Sequence, residues 1–265
     1  MSARPPERGP RRPRTAAQHR NLAKLCAVGL AIGVVGTVVT ATQDSGLAAV
    51  SGGSGQRAYN VSGFEGVSAT GSADVEVSVG PAFSARGTGS AGALDRYEVV
   101  VENGMLKIQP KRSAWWGQFW SGSRGATFYV TLPQLSSATL AGSGDMKIDK
   151  VSGPKFAADL QGSGDLEVAA LAVDQVQLSL AGSGDMSVSG RAGNARVSVA
   201  GSGDMEASGL SSTTADVAIF GSGDVALTVA NAANVSVAGS GDVSIGGSAH
   251  CNVSRSGSGD VTCPS

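Results

Sequence analysis

Gly-Ser-Gly-Asp occurs seven times in the second half of this 265-residue chain, with its aspartates at Asp145, Asp165, Asp185, Asp204, Asp224, Asp242 and Asp260. Successive aspartates are 20, 20, 19, 20, 18 and 18 residues apart. A period of that size marks a repeat architecture, in which each unit can bury its apolar face only against its neighbours. The repeat is either a binding site copied seven times or a corner copied seven times.

The flanking residues say what the corner joins. One and three places after each aspartate stand Met146/Ile148, Leu166/Val168, Met186/Val188, Met205/Ala207, Val225/Leu227, Val243/Ile245 and Val261/Cys263. Small or charged residues (Lys147, Glu167, Ser187, Glu206) lie between them. Two and four places before the first glycine stand Leu160/Ala158, Leu180/Leu178, Val199/Val197, Ile219/Val217 and Val237/Val235. Both runs alternate with period two, the mark of strands with one buried face, and no helical period competes with them. Each repeat is read as two short strands, joined by GSGD on one side and on the other by a variable turn such as KVSGPK, GRAGNA or GLSSTT. Parallel strands without crossover helices, stacked repeat on repeat, predict an all-β fold: a parallel β-helix whose coils are 18–20 residues long.

In that fold the corner has a structural explanation. Glycine permits positive φ and close backbone approach, while serine and aspartate side chains take up N–H groups that a corner leaves free. Carboxylates stacked about 5 Å apart repel by roughly 1 kcal/mol per neighbour in water. The column therefore needs hydrogen bonds, solvent or cations, and a cation-binding ladder on the seven aspartates is the alternative to a structural corner. At the C-terminal end, Arg255 occupies an inward slot filled by Leu, Val or Ile in earlier coils, which suits a last coil. Cys251 and Cys263 fall on inward positions of the same coil, and a disulfide between them would close the open end. Free buried thiols are the other reading.

Residues 57–140 have the same strand-rich texture. TGSADVEVSV (70–79) is a degenerate corner around Asp74, and ENG within YEVVVENGMLKIQP (97–110) reads as a hairpin turn. All three tryptophans lie in KRSAWWGQFWSGSRG (111–125), where Trp115, Trp116, Phe119 and Trp120 form either an end cap or an exposed recognition loop.

The whole chain carries a net charge of −1, which gives no footprint for nucleic acid. The basic charge is concentrated in residues 1–24, an n-region or cytoplasmic tail, ahead of the uncharged apolar run 25–41. That order predicts export, with 25–41 either a cleaved signal peptide or a membrane anchor. Cys26 follows a poor match to a lipoprotein box, so lipidation is not expected. Residues 42–56 read as a flexible linker and 57–265 as the β-helix domain, placed outside the cytoplasm on the cell envelope or secreted.

The order FEGVSATGSADVEVSVG, YEVVVENGMLKI, VTLPQLSSATLAGSGDM resembles the bacterial family described as putative auto-transporter adhesin, head GIN domain, over roughly residues 60–262. The resemblance implies a right-handed parallel β-helix on the cell envelope, and it brings no catalytic residues with it.

Nothing in the chain supplies enzyme chemistry of a familiar kind. The histidines are His19, in the basic tail, and His250, beside Cys251. Metal-ligand clusters and phosphate loops are absent from the sequence, so no cofactor is expected. Polysaccharide-cleaving β-helices need paired carboxylates, but an active site breaks a repeat at one place, whereas here aspartate recurs alike in every coil. The expectation is a non-catalytic envelope domain that binds a glycan, a wall polymer or an envelope protein. The alternative is a structural or sensory ectodomain without a small ligand.

Overall fold

The computed structural model describes residues 50–51, 55–111 and 125–264. Residues 25–41 and the aromatic cluster Trp115, Trp116, Phe119 and Trp120 lie outside them. The described chain belongs to one compact unit, Asp44–Ser265. Its first strands are β1 (Val50–Ser51), β2 (Gln56–Tyr59), β3 (Gly66–Gly71), β4 (Asp74–Val79) and β5 (Ser84–Gly89). A single-turn helix α1 (Ala91–Leu94) leads into β6 (Tyr97–Glu102), β7 (Met105–Pro110) and β8 (Ala126–Leu132). The repeats follow as β9 (Ser137–Gly142), β10 (Met146–Ile148), β11 (Val151–Gly162), β12 (Leu166–Gly182), β13 (Met186–Gly201), β14 (Met205–Gly221) and β15 (Val225–Gly239). The closing elements are β16 (Val243–Gly247), β17 (His250–Gly257) and β18 (Val261–Thr262).

From β9 onward every coil pairs in parallel with the next, so the predicted parallel β-helix is the fold. The first glycine of each corner lies opposite the first glycine of the next: Gly142, Gly162, Gly182, Gly201, Gly221, Gly239 and Gly257 form one column. The inward residues stack into a continuous core, with Leu160, Leu178, Leu180, Met186, Val188, Val199 and Ile219 each at most 1% exposed.

The coil differs from the two-strand reading in one respect. GRAGNA and GLSSTT do not end the ladder, which runs through them with register shifts at Val168/Leu171, Ser187/Gly190 and Ala207/Ser211. In β12 the alternation breaks at Ala169–Ala170 and again at Asp174–Gln175, where two neighbours are both exposed. Between these breaks Leu171 and Val173 point inward. Each break shifts the phase of alternation, so the coil has a third inward side beyond the two predicted. Ser212 takes the inward slot held by Ala192 and Val229 in adjacent coils, and its hydroxyl donates to the Thr228 carbonyl (3.3 Å). It is the buried polar side chain among the described residues, and this bond gives it a partner.

At the other end the layers do not follow chain order. The coil β3–β4 lies between two others: β3 pairs in parallel with both β7 and β9, and β4 with both β8 and β10. Beyond β8 the pairing turns antiparallel, with β5 on β8, β2 on β5 and β1 on β2. The ENG turn is a hairpin as read, joining antiparallel β6 and β7 through Asn103 (φ 53°) and Gly104 (φ 74°).

Candidate functional site

The corner column is built the same way in every coil. The first glycine bends the chain, as at Gly182 with φ 136°. The second packs flat on the coil before it: a Cβ on Gly184 would stand 2.0 Å from the Gly164 carbonyl oxygen, closer than any side chain survives. Between them, Ser183 and Gly184 both donate their N–H groups to the Gly162 carbonyl, at 2.8 and 3.1 Å.

The aspartate completes the turn. Each N–H of a corner aspartate donates to the Oδ1 of the corner aspartate one coil earlier. The series is Asp145 to Asp74 (3.2 Å), Asp165 to Asp145 (3.1 Å), Asp185 to Asp165 (3.2 Å) and Asp204 to Asp185 (2.9 Å). It continues with Asp224 to Asp204 (2.9 Å), Asp242 to Asp224 (2.7 Å) and Asp260 to Asp242 (2.7 Å). The next N–H along closes the pattern in the opposite sense, as where Leu166 donates to the Asp185 carbonyl at 3.0 Å. Carboxylates bonded to backbone N–H groups hold negative charge in a column with far less mutual cost than bare ones. The degenerate corner belongs to the same column, because Asp74 serves Asp145 as the others serve their successors.

The sequence predicts that a corner aspartate takes up a free N–H, and the structure shows that this N–H belongs to the aspartate of the next coil. A four-residue corner leaves one N–H that the glycine carbonyl does not reach, and only a short side chain with an acceptor at that place can meet it. Replacing Asp185 by Ala strands the Asp204 N–H, and a loss of about 1 kcal/mol is expected in urea unfolding. Asp185→Asn retains an oxygen acceptor and should lose less.

The aspartates are solvent-exposed, and those of the last coils line an open concavity with Glu206, Ser244 and Thr262. Among the described residues no three His, Cys, Asp or Glu side chains converge as a metal-holding group. Hydrogen bonding accounts for one oxygen of each carboxylate from Asp74 to Asp242 without a cation.

The last coil is different. Among the described residues no aspartate N–H donates to Asp260, and Arg255 donates to its Oδ1 instead at 3.1 Å, with a second bond to the Gly259 carbonyl at 3.3 Å. Arg255 lies opposite Val237, so the inward slot is filled at the open end by a charge that reaches water. Cys251 lies opposite Ala233 in the same coil, and its Cα stands 6.4 Å from that of Cys263, within the range that a disulfide spans. His250, beside it, is exposed on the outer surface.

At the antiparallel end, Arg57 binds Asp95 at 2.6 Å and holds that carboxyl below its usual range. The Tyr59 phenol packs near the Phe128 ring, and burial pushes its pKa up. The described chain leaves this end at Lys111 and returns at Gly125, the two edges of the tryptophan segment.

Stacked parallel coils with a fixed glycine–aspartate corner define a β-solenoid of the repeat-domain class. The chain belongs to the family described as "Putative auto-transporter adhesin, head GIN domain", whose model matches residues 63–249. Among curated proteins none matches. Solved structures share the fold. A putative adhesin from Bacteroides fragilis is 20% identical with a TM-score of 0.71, over 78% of this chain and 94% of that one. A putative lipid binding protein from Parabacteroides distasonis is 24% identical with a TM-score of 0.63, over 78% and 96%. A putative adhesin from the same species is 18% identical with a TM-score of 0.58, over 78% and 94%.

Proposed function

We propose that this chain is a non-catalytic, exported surface domain of the cell envelope, which binds a glycan or wall polymer in the manner of an adhesin. The observation that carries the proposal is the uniformity of the corner. From Asp74 to Asp242 each carboxylate is committed to the backbone of the next coil, so no coil departs from the others as a reaction centre would require. Catalysis concentrates perturbed groups at one place, whereas a scaffold repeats them. Membership of an adhesin-like family and the names of the solved relatives support the same reading. The relative named a putative lipid binding protein adds lipid to the ligands worth testing. The N-terminal 1–41 stretch would export the chain, with 25–41 cleaved or retained as an anchor. In that compartment Cys251 and Cys263 would be joined as a disulfide. The segment bearing Trp115, Trp116, Phe119 and Trp120 is the candidate recognition loop.

The test is a pull-down of the full chain on purified cell-wall and capsular polysaccharide. A variant carrying Trp115→Ala, Trp116→Ala and Trp120→Ala runs beside it, after its circular dichroism is matched to the parent. Saturable binding by the parent is expected, reduced at least about tenfold in the variant if the rings are the contact. No binding by the parent would reassign the chain to a structural or sensory ectodomain whose partner is a protein.

A further inference from the structure

Phe220 is 59% exposed, whereas the other large apolar side chains of the described residues, Val253 apart, are buried or half-buried. It points outward immediately before the Gly221 corner. Its register neighbours on both sides are alanines, Ala200 and Ala238, and the residue two before it on the same face is Ala218. No bulky residue holds the register positions beside it in the adjacent coils, so the ring stands among small residues. No packing role accounts for a phenylalanine here, since the inward slots beside it are already filled by Ile219 and Val217.

The rest of the face is polar and held in place. Ser198 and Ser236 flank Ala218 in the adjacent coils, two residues or about 7 Å along the strand from the ring. Two residues further, Asp216 accepts hydrogen bonds from Asn234 (2.9 Å) and Arg196 (3.5 Å). These bonds join the three side chains in a row across three coils, about 13 Å along the strand from Phe220. An aromatic ring, then hydroxyls, then hydrogen-bonded amide, carboxylate and guanidinium groups thus follow one another on one face of the sheet.

We propose that this face is a glycan subsite, in which the C–H face of a sugar ring stacks on Phe220 and the hydroxyls of following residues bond to Ser236, Asn234 and Asp216. The proposal deepens the glycan reading above and rests on it. The chemistry of this face favours a sugar chain over a protein partner. A stable protein interface buries about 800 Å² a side around several apolar anchors, whereas this face has one ring among alanine and serine. A carbohydrate presents what the face can match, an apolar ring face rimmed by hydrogen-bonding groups. The nearby aspartate column disfavours a nucleic acid, which needs the opposite charge.

The experiment is an array of linear bacterial wall and capsular oligosaccharides probed with the full chain. Calorimetric titration of the strongest hit follows, with the parent, Phe220→Ala and Phe220→Tyr. Both substitutions fall at a solvent-facing position, so melting temperatures within error of the parent confirm that the fold is unchanged. The expected result is affinity about tenfold weaker in Phe220→Ala and close to the parent in Phe220→Tyr, which keeps the ring. Parent-like affinity in Phe220→Ala overturns the subsite and leaves the glycan-binding function standing. Failure of the parent to bind any oligosaccharide on the array overturns both.

Discussion

Replacing Gly184 by alanine is expected to break the stack at its centre, lowering stability by about 3 kcal/mol or more in urea unfolding. The backbone there is not in a left-handed conformation, so the effect is purely one of space. The new methyl carbon would sit 2.0 Å from the Gly164 carbonyl oxygen, where ordinary contact begins near 3.4 Å. The atom in the way is backbone, which cannot rotate aside. Coil must separate from coil at that corner, and with the separation go the bonds from Ser183 and Gly184 to Gly162 and from Asp185 to Asp165. Because each coil is stable only through its neighbours, unfolding should also lose cooperativity, with the two halves melting apart. Gly246→Ala is the control. Its nearest heavy atom would be Thr228 Oγ1 at 3.4 Å, and a change within about 0.5 kcal/mol is expected. A Gly184→Ala protein as stable as the parent would mean that the coils do not touch at the second glycine.

The second large effect is local. Reducing Cys251–Cys263, or replacing both by serine, is expected to remove about 2–3 kcal/mol from the last coil, as for a short closed loop. Amide hydrogen exchange over residues 250–262 should then quicken roughly a hundredfold, while β12 and β13 in the middle of the stack keep their protection. The confinement follows from the architecture: β17 pairs with β15 on one side only, so opening it disturbs one interface rather than the core. Unchanged exchange on reduction would show that the two thiols are free in the native protein. A uniform rise along the chain would contradict the nearest-neighbour picture of stability.

The repeats are the part of this fold most legible from sequence, because each carries its own register in a few adjacent residues. The period sets the coil, the alternation around Met186 and Val199 sets the inward face, and Arg255 marks the last coil by placing a charge where a valine belongs. Two features were not legible. The third side of the coil rests on phase shifts such as Ala169–Ala170, which a reader of alternation passes over as a turn. The order of the first layers, with β3–β4 between β7–β8 and β9–β10, depends on pairings between distant strands that lack the repeated corner, and nothing local records them. The aspartates were legible as side chains that take up free N–H groups at a corner, and the structure adds that each N–H comes from the coil that follows. Phe220 was equally in view, as a bulky residue in a position that elsewhere holds alanine, glutamine or serine; its exposure became meaningful only once its small register neighbours were known.

The carboxylate ladder also gives the molecule a direction. Each rung accepts from the coil that follows it and never from the one before, so the two ends of the stack are chemically unlike. A stack with such polarity could extend without limit, since every finished coil offers the next the same acceptor. Arg255 answers that invitation from within: its guanidinium occupies Asp260 in place of an incoming N–H. The ladder's last acceptor is thus satisfied from within its own coil rather than left for another strand to bind.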